Sequence, residues 1–279
     1  MADTDSRSPF RRVSVTRVGR AAPGPGEDLA AAEEPLEVRL HGRSFAVIMR
    51  TPGGDRELAA GFLLSEGIIR SQEDLGAVEH CRHPDHPEVH NVVDVFLVPD
   101  AAGRMQSHLE QRRNIVTSSS CGLCGRVTIE SLRSLAAPLA LGKRMTVAVA
   151  GGLPHTLRER QTVFTGTGGL HAAGLFSLSG ACEVSAEDVG RHNAVDKAIG
   201  TMVFADRLPL QDRALLVSGR ASFEIVQKAW IAGVPIVCAV SAPSSLAIEL
   251  AQEAGITLLG FVRDGGFNVY THGERIEGV

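Results

Sequence analysis

Ala214-Leu-Leu-Val217, Pro235-Ile-Val-Cys-Ala-Val240 and Ile256-Thr-Leu-Leu-Gly-Phe-Val262 are three short apolar runs near the end of the chain. Between them, residues 222–231 and 244–254 place apolar side chains at helical spacing. Strand, helix, strand, helix, strand with short links predicts a parallel sheet joined by crossover helices. A final strand is expected over 267–270, which makes the C-terminal sheet mostly parallel.

Each of those strands ends in polar or glycine-rich chain. Val217 is followed by Ser218-Gly219-Arg220, Val240 by Ser241-Ala242-Pro243-Ser244-Ser245, and Val262 by Arg263-Asp264-Gly265-Gly266. The carboxyl ends of parallel strands, beside helix N-termini, are where open α/β sheets hold ligands. Free helix amides with Arg220 and Arg263 suit phosphate oxygens. Ordinary capping and turn chemistry explains any one of these links; three on one edge favour a cleft for an anionic ligand.

Outward from this unit the chain is less regular. Residues 1–35 are rich in Ser, Arg, Pro, Gly and Glu and read as a disordered tail. A hairpin is expected from 36–40 and 44–49, broken by Pro52-Gly53-Gly54. Asp55 then caps a helix with Leu58, Ala59, Phe62 and Leu63 on one face, stopped by Gly67. A strand over 89–98 completes a small α+β unit, and the charged stretch 104–113 reads as a mobile loop. The divisions expected are a tail (1–35), an α+β domain with its loop (36–116) and an α/β domain (117–279).

Composition narrows the function classes. The 279 residues are 44% hydrophobic, enough to build a core without disulfide help. A net charge of -4 gives no global pull toward nucleic acid or anionic lipid. Aromatic residues make up only 4%, which disfavours base-stacking platforms for single strands. No run approaches the roughly 20 apolar residues of a membrane helix. An odd count of five cysteines argues against a secreted disulfide scaffold, so a reducing cytoplasm is expected.

Chemistry concentrates in two segments. Cys121-Gly-Leu-Cys124-Gly125 follows Thr117-Ser-Ser-Ser120 and precedes Arg126, where a helix is expected to begin. Helix amides and a nearby guanidinium both favour thiolate over thiol. Such a pair serves a dithiol oxidoreductase, half of a zinc site, or a sulfur carrier on a mobile loop. The last fits a pair placed after a polar loop and far from any early strand best, although spacing alone does not name it. The second segment, 187–197, reads Glu-Asp-Val-Gly-Arg-His-Asn-Ala-Val-Asp-Lys and is dense in hydrogen-bonding groups. Arg191, His192, Asn193, Asp196 and Lys197 together suggest a polar site.

Other candidates carry less. The glycine-rich run 164–171 matches no nucleotide-loop spacing; it suits either close approach of a large ligand or a bulged strand end. Cys81, His83, His86 and His90 are ligand-type residues, but Pro84 and Pro87 keep them irregular and a polar loop is the simpler reading. Cys182 and Cys238 sit among apolar neighbours and read as inert core thiols.

The motifs at 117–125, 187–197, 218–220 and 260–263 (Gly-Phe-Val-Arg) resemble the formate dehydrogenase accessory sulfurtransferases of the FdhD family, over about residues 36–275. That resemblance implies a cytidine-deaminase-like, three-layer α/β core. It implies a sulfurtransferase that accepts persulfide sulfur from a cysteine desulfurase. The sulfur then passes to the molybdenum cofactor, bis(molybdopterin guanine dinucleotide), before the cofactor enters formate dehydrogenase. By position Cys121 resembles the persulfide-bearing cysteine and Cys124 its neighbour in the motif. Phe261, Val262, Arg263, Asp264, Gly265 and Gly266 match the family's cofactor-binding stretch, to which the strand-end reading adds Ser218 and Arg220. Zinc deaminases pair H-x-E with a later P-C-x-x-C, and in this chain Ser120, not Pro, precedes the C-x-x-C. Neither a permanent metal, nor nucleic acid, nor a membrane is expected as a partner; a homodimer is compatible. The rival reading is a non-catalytic molybdenum-cofactor chaperone whose cysteines bind metal.

Overall fold

A computed structural model of the chain describes residues 8–19, 23–81, 91–104 and 136–279. Cys121, Cys124, His83, His86, His90 and the helix expected from Arg126 lie outside the described residues.

The centre is a six-stranded sheet in the order β13-β12-β11-β10-β8-β9. Its strands are β8 (His171–Ser177), β9 (Cys182–Asp188), β10 (Arg213–Val217), β11 (Ile236–Ala239), β12 (Thr257–Arg263) and β13 (Gly266–Thr271). As the apolar runs predict, β10, β11 and β12 are parallel, Leu215 facing Val237 and Val237 facing Leu258. The remainder corrects the expectation of a mostly parallel sheet. β13 turns back antiparallel on β12, and β8 and β9 add antiparallel strands beside β10. Short connections explain this, since parallel pairing needs a crossover of a dozen or more residues. Only two residues separate β12 from β13, Asp264 and Gly265, both at positive φ as a tight primed turn requires.

Alternation along the strands buries both sheet faces. Leu215, Val217, Val237 and Ala239 pack with α4 (Arg191–Phe204), α5 (Phe223–Ile231) and α6 (Ser245–Ala254). Ala214, Leu216, Ile236 and Cys238 pack on the opposite face with Leu153 and Leu157 of α2 (Val147–Arg158). A short α3 (Thr162–Thr167), ended by Gly168 at positive φ, leads into β8. Among the described residues no helix is long and apolar enough to cross a membrane.

A second sheet orders β4-β3-β6-β5, with β3 (Glu34–Leu40), β4 (Arg43–Arg50), β5 (Leu75–His80) and β6 (Val92–Leu97). The helix expected after Gly54 is α1 (Asp55–Ser65). Asp55 does not cap it: Gly54 holds the cap position, and the Asp55 carboxylate receives Arg50 Nε and Nη2 at 2.7 Å each, both residues fully enclosed. α1 and α4 cross backbone to backbone, and apolar residues of 36–97 share one continuous core with those of 173–258. Among the described residues, no break in packing separates the expected α+β and α/β divisions. The reading of 1–35 as disordered is corrected for its described part. β1 (Phe10–Arg17) and β2 (Gly24–Ala31) form an antiparallel hairpin, with Leu29 reaching α3 at Gly166. Its support is tertiary, which composition does not register.

Candidate functional site

The parallel strands end at one edge of the central sheet, and the connections that follow them are sewn together. Ser218 N donates to Ala172 O, and Ser218 Oγ accepts from Ala172 N, both at 2.9 Å. Ser241 N donates to Gly219 O at 3.3 Å, and Phe261 N to Ser241 O at 3.2 Å. Ala221 bridges Pro243 in parallel. Because β8 runs against β10 and β9 runs back along β8, the start of β8 (His171) and the end of β9 (Asp188) face each other at this same edge. Helices α4, α5 and α6 all begin here, with Gly190, Ser222 and Ser244 as their cap residues. Three sets of helix amides therefore point one partial positive charge at a single rim.

The expected ligand-binding residues divide by exposure. Arg220, Arg263, Asp264, Gly265 and Gly266 are exposed, and Ser218 and Phe261 are partly so. Arg263 lies over the Phe261 ring, 5.8 Å from its centre. Val262 is wholly buried beneath the sheet, so its side chain belongs to the core and not to a ligand surface. The Asp264-Gly265 turn leans on α2, where a β-carbon added to Gly151 would come within 2.5 Å of Gly265 O. Cys121 and Cys124 lie outside the described residues, so the edge is described without them.

The dense segment 187–197 separates into two groups. Glu187 accepts from Val163 N (3.0 Å) and Phe164 N (2.7 Å), fixing the start of α3. Buried Asp188 accepts from Thr51 N (3.1 Å), Gly190 N (2.8 Å) and Asn193 Nδ2 (2.8 Å), and pairs with Lys197 at 2.7 Å. Lys197 also donates to Thr51 O at 2.8 Å. Asp196 is enclosed with Lys228, and burial pushes its carboxyl up against the opposing pull of that ammonium. Asn193, Asp196 and Lys197 therefore hold the small sheet to the large one.

Arg191 and His192 alone of that group turn to the edge. His192 Nε2 stands 2.8 Å from Glu224 Oε2 and 3.1 Å from Ser222 Oγ. The His192 hydrogen bond draws the Glu224 carboxyl down to about 2. Arg191 Nε is buried with no partner among the described residues. Beside them His171 is pushed down by burial first, then by the Arg191 and His192 charges. Glu224 had no signal in the sequence beyond its place in a helical first turn.

The described thiols are poorly reactive. Burial pushes Cys238 up to about 12, and Cys182 and Cys81 are raised for the same first cause. Among the described residues no group of three or more His, Cys, Asp or Glu is placed to hold a metal ion. An anion at the rim would instead meet amides, hydroxyls and guanidinium groups, a donor set matched to phosphate.

The profile of the FdhD/NarQ family matches residues 31–277. This chain belongs to the FdhD/NarQ family. A relative from Mycolicibacterium paratuberculosis, named sulfur carrier protein FdhD, is 48% identical over 95% of this chain and 97% of its own. A protein of the same name from Streptomyces coelicolor is 47% identical over 95% of each chain. A crystal structure of a proposed formate dehydrogenase accessory protein from Desulfotalea psychrophila aligns at a TM-score of 0.74. It covers 96% of this chain and 100% of its own at 24% identity, and so speaks to the fold.

Proposed function

We propose that this FdhD/NarQ chain is a sulfur carrier in formate dehydrogenase maturation, with Cys121 bearing the sulfur as a persulfide. The observation that carries the reading is near half-identity, end to end, with proteins named as sulfur carriers. The rim of amides, Arg220 and Arg263 supports the second half of the reading, a large anionic substrate held at the sheet edge. That substrate is the molybdenum cofactor in its bis(molybdopterin guanine dinucleotide) form, received and released as cargo. On this reading the sheet with helices on both faces is a cytidine-deaminase-like core put to sulfur transfer.

The Cys121 thiolate attacks the terminal sulfur of a cysteine desulfurase persulfide. The sulfur–sulfur bond to the desulfurase breaks, its cysteine leaves as thiolate, and Cys121 keeps the sulfane sulfur. Delivery of that sulfur as sulfide consumes two electrons. Closing a Cys121–Cys124 disulfide releases two, and an external thiol then restores the pair. The site's own residues bind and orient: helix amides and guanidinium groups grip phosphates, and glycines at 122 and 125 allow the bends the transfer needs.

Incubation with cysteine desulfurase and cysteine, followed by mass spectrometry, should add one sulfur atom to Cys121. Cys121→Ala should lose both that mass and the ability to support formate dehydrogenase. Unchanged sulfuration and activity in that variant would sink the proposal. Stoichiometric zinc held by Cys121 and Cys124 would favour the metal-binding chaperone instead.

A further inference from the structure

A cavity of about 520 Å³ opens between the start of α1, the middle of α4, β9 and the end of β5. Most charged groups on its wall are already committed. Asp55 holds Arg50, Lys197 holds Asp188 and Thr51 O, and Glu187 accepts from Val163 N and Phe164 N. Glu57 turns back on its own helix, its Oε2 3.7 Å from where a β-carbon on Gly54 would lie, so the positive end of α1 already faces a carboxylate. Two nitrogens are left over. Arg56 Nε and His80 Nδ1 are both buried, and neither meets a hydrogen-bond partner among the described residues. Both residues line the cavity and are half-buried as a whole. The Arg56 guanidinium lies over the Phe204 ring, 5.4 Å from its centre, a contact that places the group without using its N–H donors. Buried polar atoms are almost always paired, and one without a partner is costly. A turn about the last torsions of either side chain brings its nitrogen to the cavity surface, where a ligand with two acceptor oxygens satisfies both.

The balance of charge selects the class of ligand. With the other ions paired, the wall presents one guanidinium, and Glu57 beside it opposes a second negative charge. A monoanion is therefore favoured over a dianionic phosphate. The space far exceeds a carboxylate group, and Pro52, Val163 and Leu170 make part of its wall apolar, which suits a carbon body. We propose that this cavity binds a small organic monocarboxylate, its oxygens on Arg56 Nε and His80 Nδ1 and its carbon body against Pro52, Val163 and Leu170. Because the walls come from both sheets, the bound acid also ties them together and raises the stability of the fold. The cavity shares no residue with 218–220 or 261–266, and the inference does not rest on the sulfur-carrier reading.

Ligand-observed NMR on the full chain with butyrate, hexanoate and 3-phenylpropionate, each compared with its own primary amide, tests the class without needing any variant to fold. At least one acid should bind at millimolar concentration and raise Tm. Its amide should bind at least about tenfold more weakly, the loss expected when a charge-assisted pair is removed. Binding of none of the acids, or of acid and amide alike, overturns the proposal. Arg56→Gln and His80→Phe should each weaken binding of the same acid by about tenfold; unchanged affinity in either would overturn the two-point placement. Inorganic phosphate should compete poorly, and displacement of the acid by an equal concentration of phosphate would overturn the preference for a monoanion. Sulfur gain on Cys121 in the same samples reports the carrier reading separately, since none of these outcomes depends on that thiol.

Discussion

Asp196 holds the Lys228 ammonium with both carboxylate oxygens, each at 2.8 Å, in a space that α4, α5 and Ser65 of α1 close from water. Desolvating two charges is costly, and their attraction offsets that cost only while both are present. Asp196→Ala strands the ammonium and should lower stability by about 3–5 kcal/mol in urea unfolding. The double variant Asp196→Leu, Lys228→Met should regain most of the loss. A single-variant cost below about 1 kcal/mol would show that water reaches the pair.

The crossing of α1 and α4 sets a second test. A β-carbon on Gly61 would lie 1.9 Å from Asp196 O, and one on Gly200 1.9 Å from Glu57 O. Neither contact is with a side chain that could swing aside, so the helices must separate. Gly61→Ala should cost about 1–3 kcal/mol through overpacking and lower Tm by several degrees. Gly152→Ala is the control: the site is exposed, within a helix and open around the new carbon, so a gain of about 0.5–1 kcal/mol is expected.

The same physics decides what could be read before the structure. The β10–β12 unit was legible because each strand is buried on both faces and each helix has one apolar side, so local pattern and tertiary place agree. The β1–β2 hairpin was not, because its partner is the surface of α3 and its polar composition mimics a tail. α2 was missed too: Gly151, Gly152 and Pro154 weaken its helical signal, and Gly151 is there because Gly265 leaves no room for a side chain. At the site, residue type marked the rim but not roles. Asp196 and Lys197 look like surface chemistry in a string of letters, and only packing shows them to be fasteners.

Glu224 and His192 give a pH test. The folded Glu224 value, about 2, lies below the ordinary 4.5, chiefly through its hydrogen bond to His192. The folded state therefore holds this proton less tightly than the unfolded chain. The resulting stability is present above about pH 4.5 and is lost as pH falls toward about 2. The side chains remain 30% and 41% exposed, so solvent screening limits the effect to about 1 kcal/mol or less. Glu224→Gln should flatten the stability profile across that interval relative to the unaltered chain. An identical slope in the two proteins would remove this pair as its source.

Arg220 and Arg263 end the first and third parallel strands with exposed guanidinium groups on either side of the Ser241–Phe261 link. If the rim grips phosphates, each should contribute as a charge-assisted hydrogen bond does, about 1.5–3 kcal/mol. Arg220→Ala and Arg263→Ala should then each weaken guanosine diphosphate binding by roughly 10- to 150-fold, and the remaining affinity should fall less steeply with added salt. Arg43→Ala is the needed comparison, since Arg43 is also exposed but begins β4 in the other sheet. Diffuse attraction to positive charge would make all three variants equivalent. A rim built from oriented amides and two placed guanidinium groups predicts that Arg43→Ala binds as the unaltered chain does, because charge alone, without the donor geometry of the strand ends, does not hold a phosphate in one position.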